Sequence, residues 1–195
     1  MARSRHTEPA KKIAALRAQR RSDGTVVPPR VVRRKARPGD RHPISKKMLQ
    51  VLLDGLPLQY TYGLTRVEMR AREADVGCPF ALYRPSERAI FIYSVPLVWQ
   101  LPADSWVGKS AARFDATVQK ETSVVTVAWN DLWALQEWFM RLVFFHELGH
   151  HYAEQYRHKR SRIGGRRYRE ASANLKATHI DRWVRKALDR VRAKK

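Results

Sequence analysis

A single cysteine, Cys78, stands in 195 residues. That excludes an intramolecular disulfide framework and points to a reducing compartment. Cys78 itself reads as a small buried or half-buried thiol. No apolar run approaches membrane-spanning length, and the opening MARSRHTEPAKK lacks the apolar segment of a secretory signal. These absences suggest a soluble, intracellular, cytoplasmic protein with no membrane partner. An Arg-rich leader also suits an organelle transit peptide, but Glu8 and the clustered prolines weigh against that. Acidic residues are scarce as well, 18 against 39 Lys and Arg, for a formal net charge of +21.

The placement of that charge is uneven. Residues 1–47 carry 15 Lys and Arg against three acidic residues, a net +12, and residues 157–195 repeat the same figures. The middle, 48–156, carries 9 against 12, a net −3. A slightly acidic body between two strongly basic ends attracts polyanions through counterion release, so nucleic acid is a candidate partner of both ends. A solvated tail and a solvated helix face are the plainer alternative.

Length and composition suit one domain with a proper core, and six Trp support a globular fold. Residues 1–43 read as a basic, mostly disordered arm, because GTVVPPR and RPGDRHP interrupt any regular element. Residues 44–195 read as a single domain. SKKMLQVLLDG (45–55) has the form of a first core helix, with Ser45 as its cap and Gly55 at its end. PFALYRPSERAIFIYSVP (79–96) reads as a β-hairpin around a PSER turn, and TSVVTVAW (122–129) as another strand. PLVWQLPADSW between them, with two prolines, reads as a loop. Asn130 or Asp131 can cap a long helix from Leu132 to about Arg157, and a second helix runs from about Tyr168 to about Arg192 after the Gly164-Gly165 break. Trp129, Trp133 and Trp138, near the start of the long helix, read as core rather than as a ligand box.

The stretch VFFHELGHHYAEQY (143–156) lies on that long helix. His146 and His150 are four residues apart, so their rings project from one face, which continues through Leu135, Phe139, Leu142, Val143 and Ala153. Two imidazoles so spaced can grip one tetrahedral Zn²⁺ and leave room for a third ligand and a water. Glu147, one residue after the first ligand, can reach that water as general base. Gly149 allows a neighbouring strand or loop to come close to the helix. A third ligand is then needed. Glu170, twenty residues after His150 in YREASANLKATHI, sits where a second helix can fold back onto the first. Asn174, one turn further, becomes a partner for a ligand histidine. The plainer alternative for Glu170 is an exposed helix-start carboxylate favoured by the helix dipole.

Other donors fit less well. Position 156 is Tyr, so there is no third His six residues after His150. His179 is half a turn out of phase with Glu170, His151 is turned away by about 100°, and His158 lies beyond the helix end. Asp181 is three turns from Glu170 and suits Arg185 better. For an oxyanion-stabilising donor, Tyr152, Tyr156 and Tyr168 are candidates by proximity.

HELGH followed by a glutamate in an E-x-x-A-N context resembles the gluzincin branch of the zincin metallopeptidases. The order helix, strands, HELGH helix is similar to the small bacterial ImmA/IrrE-type peptidases. The resemblance covers 45–190 loosely and 142–177 with motif content. It implies an α+β fold in which a small mixed or antiparallel sheet packs on the HExxH helix and a second C-terminal helix, with an edge strand that pairs with the substrate. The implied activity is zinc-dependent hydrolysis of a protein or peptide. Asn174 stands where the family often has Asp, and the family's transition-state-stabilising residue has no match here. The strand 122–128 is a candidate for the one that lines the cleft and pairs with an extended peptide. Two other classes stay open: a nucleic-acid-binding or ribonucleoprotein-associated protein with a structural or vestigial zinc site, and a domain whose basic ends dock it to an acidic protein.

Overall fold

The computed structural model describes residues 28–73 and 79–155, together with Arg185 and Asp189. The first helix, α1 (Lys46–Gly55), begins as its sequence dictates. Ser45 is extended, and its hydroxyl accepts the Met48 N–H at 3.1 Å, which satisfies one of the helix's orphan donors. Met48, Leu49, Leu52 and Leu53 recur at helical spacing and are buried. A single turn, α2 (Leu58–Thr61), follows.

The hairpin is also present, as β3 (Ala81–Arg84) antiparallel to β4 (Ala89–Tyr93). Its PSER turn ends on Arg88 at φ 47°, the left-handed position that lets a short loop close. All five residues of β4 are buried, as expected of a strand covered on both faces. β4 lies parallel to β2 (Arg66–Arg70), and β2 lies parallel to β1 (Arg30–Arg33), giving the order β1-β2-β4-β3.

β1 falls within residues 1–43, the segment read as a mostly disordered arm. Arg30–Arg33 is an ordered edge strand, and Arg41 bridges to Val95. The strand has no local signal because RVVR is four residues long and its partner, Arg66 opposite Arg30, is far along the chain. Residues 1–27 lie outside the described part.

A second sheet adds β5 (Val98–Pro102), β6 (Ala116–Lys120) and β7 (Val124–Trp129), in the antiparallel order β5-β7-β6. The stretch read as a loop, PLVWQLPADSW, therefore contains a strand. Trp99 is buried on β5, and Pro102 sits at the strand's end, where a missing N–H costs no ladder bond. A short helix, α3 (Trp106–Ala111), packs on this sheet at Gly108, where a Cβ would come 3.0 Å from a Val125 methyl. β7 is a strand as expected, with Val125, Val127 and Trp129 buried in alternation. It is the central strand, however, and both its edges are bonded, so it cannot take up an extended peptide.

The long helix is continuous but not uniform. It comprises α4 (Leu132–Trp138), a π-helical segment (Phe139–Phe144) and α5 (Phe145–Gln155). Asp131 holds the cap position without a side-chain cap bond, while Asn130 bonds Thr117 and the Asp115 carbonyl instead. The π segment widens one turn, as the Phe145 N–H bonding back to the Met140 carbonyl shows. Upstream residues are thereby offset by about one position, or 100°, from the downstream face. Leu135, Phe139 and Val143 remain buried, but Leu142, expected on the same buried face, is 36% exposed.

The core lies between the first sheet and the helices, with Val67, Met69, Ile90 and Ile92 meeting Leu49, Leu52, Phe145 and Leu148. Trp138 is fully buried, with Trp99, Trp106 and Trp129 ring to ring around it, so Trp129 and Trp138 are core, while Trp133 is half-buried against the core. The architecture is α+β, with two small sheets, and among the described residues no helix is long and apolar enough to cross a membrane. The second helix expected from 168 to 192 lies outside the described residues, apart from Arg185 and Asp189, which are helical and exposed.

Candidate metal centre

His146, Glu147 and His150 lie on the first turns of α5, just after the π segment. Their ligand atoms lie within 4.8 Å of one another, a grouping that can hold a metal ion. The Nε2 atoms of His146 and His150 are 3.0 Å apart, with ring planes at 89°. Two nitrogens on one tetrahedral Zn²⁺ stand about 3.3 Å apart, given Zn–N bonds of about 2.05 Å, so the pair needs little movement to share a cation. Facing neutral imidazoles otherwise satisfy each other only if one of the two carries its proton on Nε2.

The carboxylate of Glu147 is held from outside the helix. The Tyr83 backbone N–H, on β3, donates to Glu147 Oε2 at 2.7 Å. β3 is an edge strand of its sheet, with β4 on one side only, so this N–H faces away from the ladder towards α5. Sequence reasoning did not single out Tyr83. It lies 64 residues from Glu147 and contributes a backbone group, which no motif encodes.

His151 explains how α5 is fixed at this angle. It is fully buried and turned away from the pair, as the helical spacing requires. Its Nε2 contacts the Tyr62 carbonyl at 2.9 Å and its Nδ1 contacts the Tyr83 hydroxyl at 3.2 Å. A carbonyl only accepts, so the ring is the Nε2–H tautomer, and Nδ1 accepts from Tyr83. Burial lowers its pKa to about 4, which leaves it neutral at pH 7. Tyr83 thus touches α5 twice, through its N–H at Glu147 and through its hydroxyl at His151. Tyr152 packs against Tyr60 with ring centroids 5.2 Å apart and planes tilted by 38°, on a different side of the helix from His150, and burial raises its pKa.

A cleft of about 960 Å³ is lined by residues of both sheets and by His146 and Glu147. Phe80, Trp99, Leu101, Trp106 and Leu142 make its walls mostly apolar. The exposure of Leu142 that the π segment causes puts that side chain on the cleft wall. Of the residues the sequence proposed, the structure brings together His146, Glu147 and His150. Glu170, Asn174, Tyr156, Tyr168, His158, His179 and Cys78 lie outside the described residues. No family model, curated protein or solved structure matches the chain.

Proposed function

We propose that this chain is a zinc-dependent metallopeptidase of the gluzincin type, acting on a protein or peptide substrate. The observation that carries the reading is the pair of Nε2 atoms 3.0 Å apart beside Glu147, with His146 and Glu147 lining an apolar cleft. Glu170 is the proposed third ligand, from its position twenty residues after His150, with Asn174 orienting a ligand ring. Zinc bound here supplies Lewis acidity and lowers the pKa of water towards neutrality.

The remaining work belongs to the chain. Glu147, steadied by the Tyr83 N–H, takes a proton from the attacking water and delivers it to the departing amine. Beyond the Tyr83 N–H, which Glu147 occupies, the outer edge of β3 has no strand partner among the described residues, and an extended peptide can add along that remainder. The aromatic walls of the cleft then favour an apolar side chain next to the scissile bond.

Replacing Glu147 by Gln is the test. Hydrolysis of a casein or peptide-library substrate should fall by about 10²–10⁴-fold with zinc content unchanged. A variant that cleaves at the wild-type rate contradicts the mechanism.

A further inference from the structure

The outer face of the first sheet, on the side away from the histidine pair, is built from arginine. Strand alternation sends Val31, Val67, Met69, Ile90 and Ile92 inwards, which leaves Arg30, Arg66, Glu68, Arg70 and Phe91 on the other face. Leu82 is level with Phe91, and Arg84 with Ala89, on the same side.

One carboxylate organises this face. Glu68 is only 4% exposed, and it accepts the Nε–H of Arg70 at 2.9 Å, of Arg34 at 3.2 Å and of Arg66 at 3.2 Å. Bonding to Arg70 is the first cause that holds its pKa down, to about 2, so it is ionised at neutral pH. Two of these guanidinium groups, those of Arg66 and Arg70, together with that of Arg84, roof Phe91. Arg70 lies 3.9 Å, Arg84 4.9 Å and Arg66 5.6 Å from the ring centroid, and Phe91 is fully buried beneath them, clustered with Ala89 and Tyr93 of its own strand.

Every bond to Glu68 uses an Nε. Arg66 and Arg84 spend a terminal nitrogen on Glu87, but the terminal amino groups of Arg34 and Arg70 have no partner among the described residues. A planar guanidinium fixed through Nε and exposing its terminal nitrogens is arranged to bind phosphate oxygens in a fork. Glu68 holds both guanidinium groups, and Phe91 packs under that of Arg70, so part of the side-chain freedom that binding would otherwise cost is already removed.

We propose that this arginine face binds the phosphate backbone of a nucleic acid, independently of the metal centre. Five arginines against Glu68 and Glu87 leave the face positive, and two of them, Arg30 and Arg34, belong to the segment 1–47, whose sequence carries a net +12. A polyphosphate chain matches a long array of forks, whereas an acidic peptide offers scattered carboxylates on flexible stems. Contacts of this kind carry no sequence preference.

Two measurements on the full chain test it. In the first, arginines of the wild-type protein are modified with butanedione and mapped by mass spectrometry, with and without a saturating single-stranded DNA of about 16 nucleotides. Arg34 and Arg70 should become protected by about threefold or more, while Arg113, exposed beside the second sheet, stays reactive. In the second, Arg34→Gln with Arg70→Gln is compared by fluorescence anisotropy with Lys46→Gln plus Lys47→Gln, two exposed lysines on α1. The arginine pair should weaken binding about tenfold and reduce the slope of log K against log salt by about two, and the lysine pair should do less than half of that. Unprotected arginines, equal losses in the two variants, or equally tight binding of poly-glutamate would each overturn the proposal. The footprint uses wild-type protein, so it stands even if the arginine variant fails to fold.

Discussion

On one face of the four-stranded sheet, Val67, Met69, Ile90 and Ile92 are buried beneath helices; on the other, Phe91 is equally buried beneath guanidinium groups. The inner face uses apolar contact, which is non-directional, and it supports α5 at the height where Tyr83 reaches Glu147. The outer face uses charge-assisted hydrogen bonds, which fix direction and leave donors pointing at solvent. The same alternation of side chains therefore builds a support for the candidate metal centre on one side and a charged surface on the other. Damage to the first should appear as lost stability and lost metal, and damage to the second as lost polyanion binding with modest cost to the fold.

The largest expected effect is on the inner face. Ile92→Ala leaves a cavity under α5 and should cost about 3 kcal/mol in urea unfolding. His151→Ala removes the donor to the Tyr62 carbonyl and the acceptor for Tyr83. It should cost about 2 kcal/mol and also weaken zinc binding, which isothermal titration would detect.

Glu68→Gln is the matching change on the outer face. The carboxylate's folded pKa of about 2 lies below its ordinary 4.5, so its contribution is present above pH 4.5 and is lost as pH falls towards 2. The wild type should therefore lose on the order of 2 kcal/mol across that window, allowing for screening by the part-exposed arginines. The Gln variant should start lower and lose less, which urea midpoints at several pH values would show. The smallest effect belongs to Leu82→Ala, at a 36% exposed outer position, expected within about 0.5 kcal/mol. An equal cost for Leu82→Ala and Ile92→Ala would erase the contrast between the faces.

Local pattern decided what the sequence could reveal. The cap at Ser45, the PSER turn and the alternation in TSVVTVAW each lie within one element, and each corresponds to an element of the structure. His146 and His150 are legible for the same reason, because one helical turn fixes their relation. β1 was hidden because its parallel partner β2 is remote, and β5 because its prolines look like loop punctuation. The error about β7 came from topology. Its alternation correctly marked a strand, but nothing in it says whether the strand is central or at an edge. Leu142 was misplaced because a uniform helix was assumed across a π turn. Tyr83 and the three arginines on Glu68 depend on contacts across strands, which periodicity does not carry.

Zinc content of the purified full-length chain, measured by elemental mass spectrometry after equilibration with zinc and removal of loose metal, bears most directly on the central claim. Wild type should retain zinc in equimolar amount, and the His146→Ala, His150→Ala double variant should retain essentially none while keeping its helical circular dichroism. A folded double variant that holds as much zinc as wild type, or a folded wild type that holds none, would contradict the assignment of this histidine pair as a metal centre.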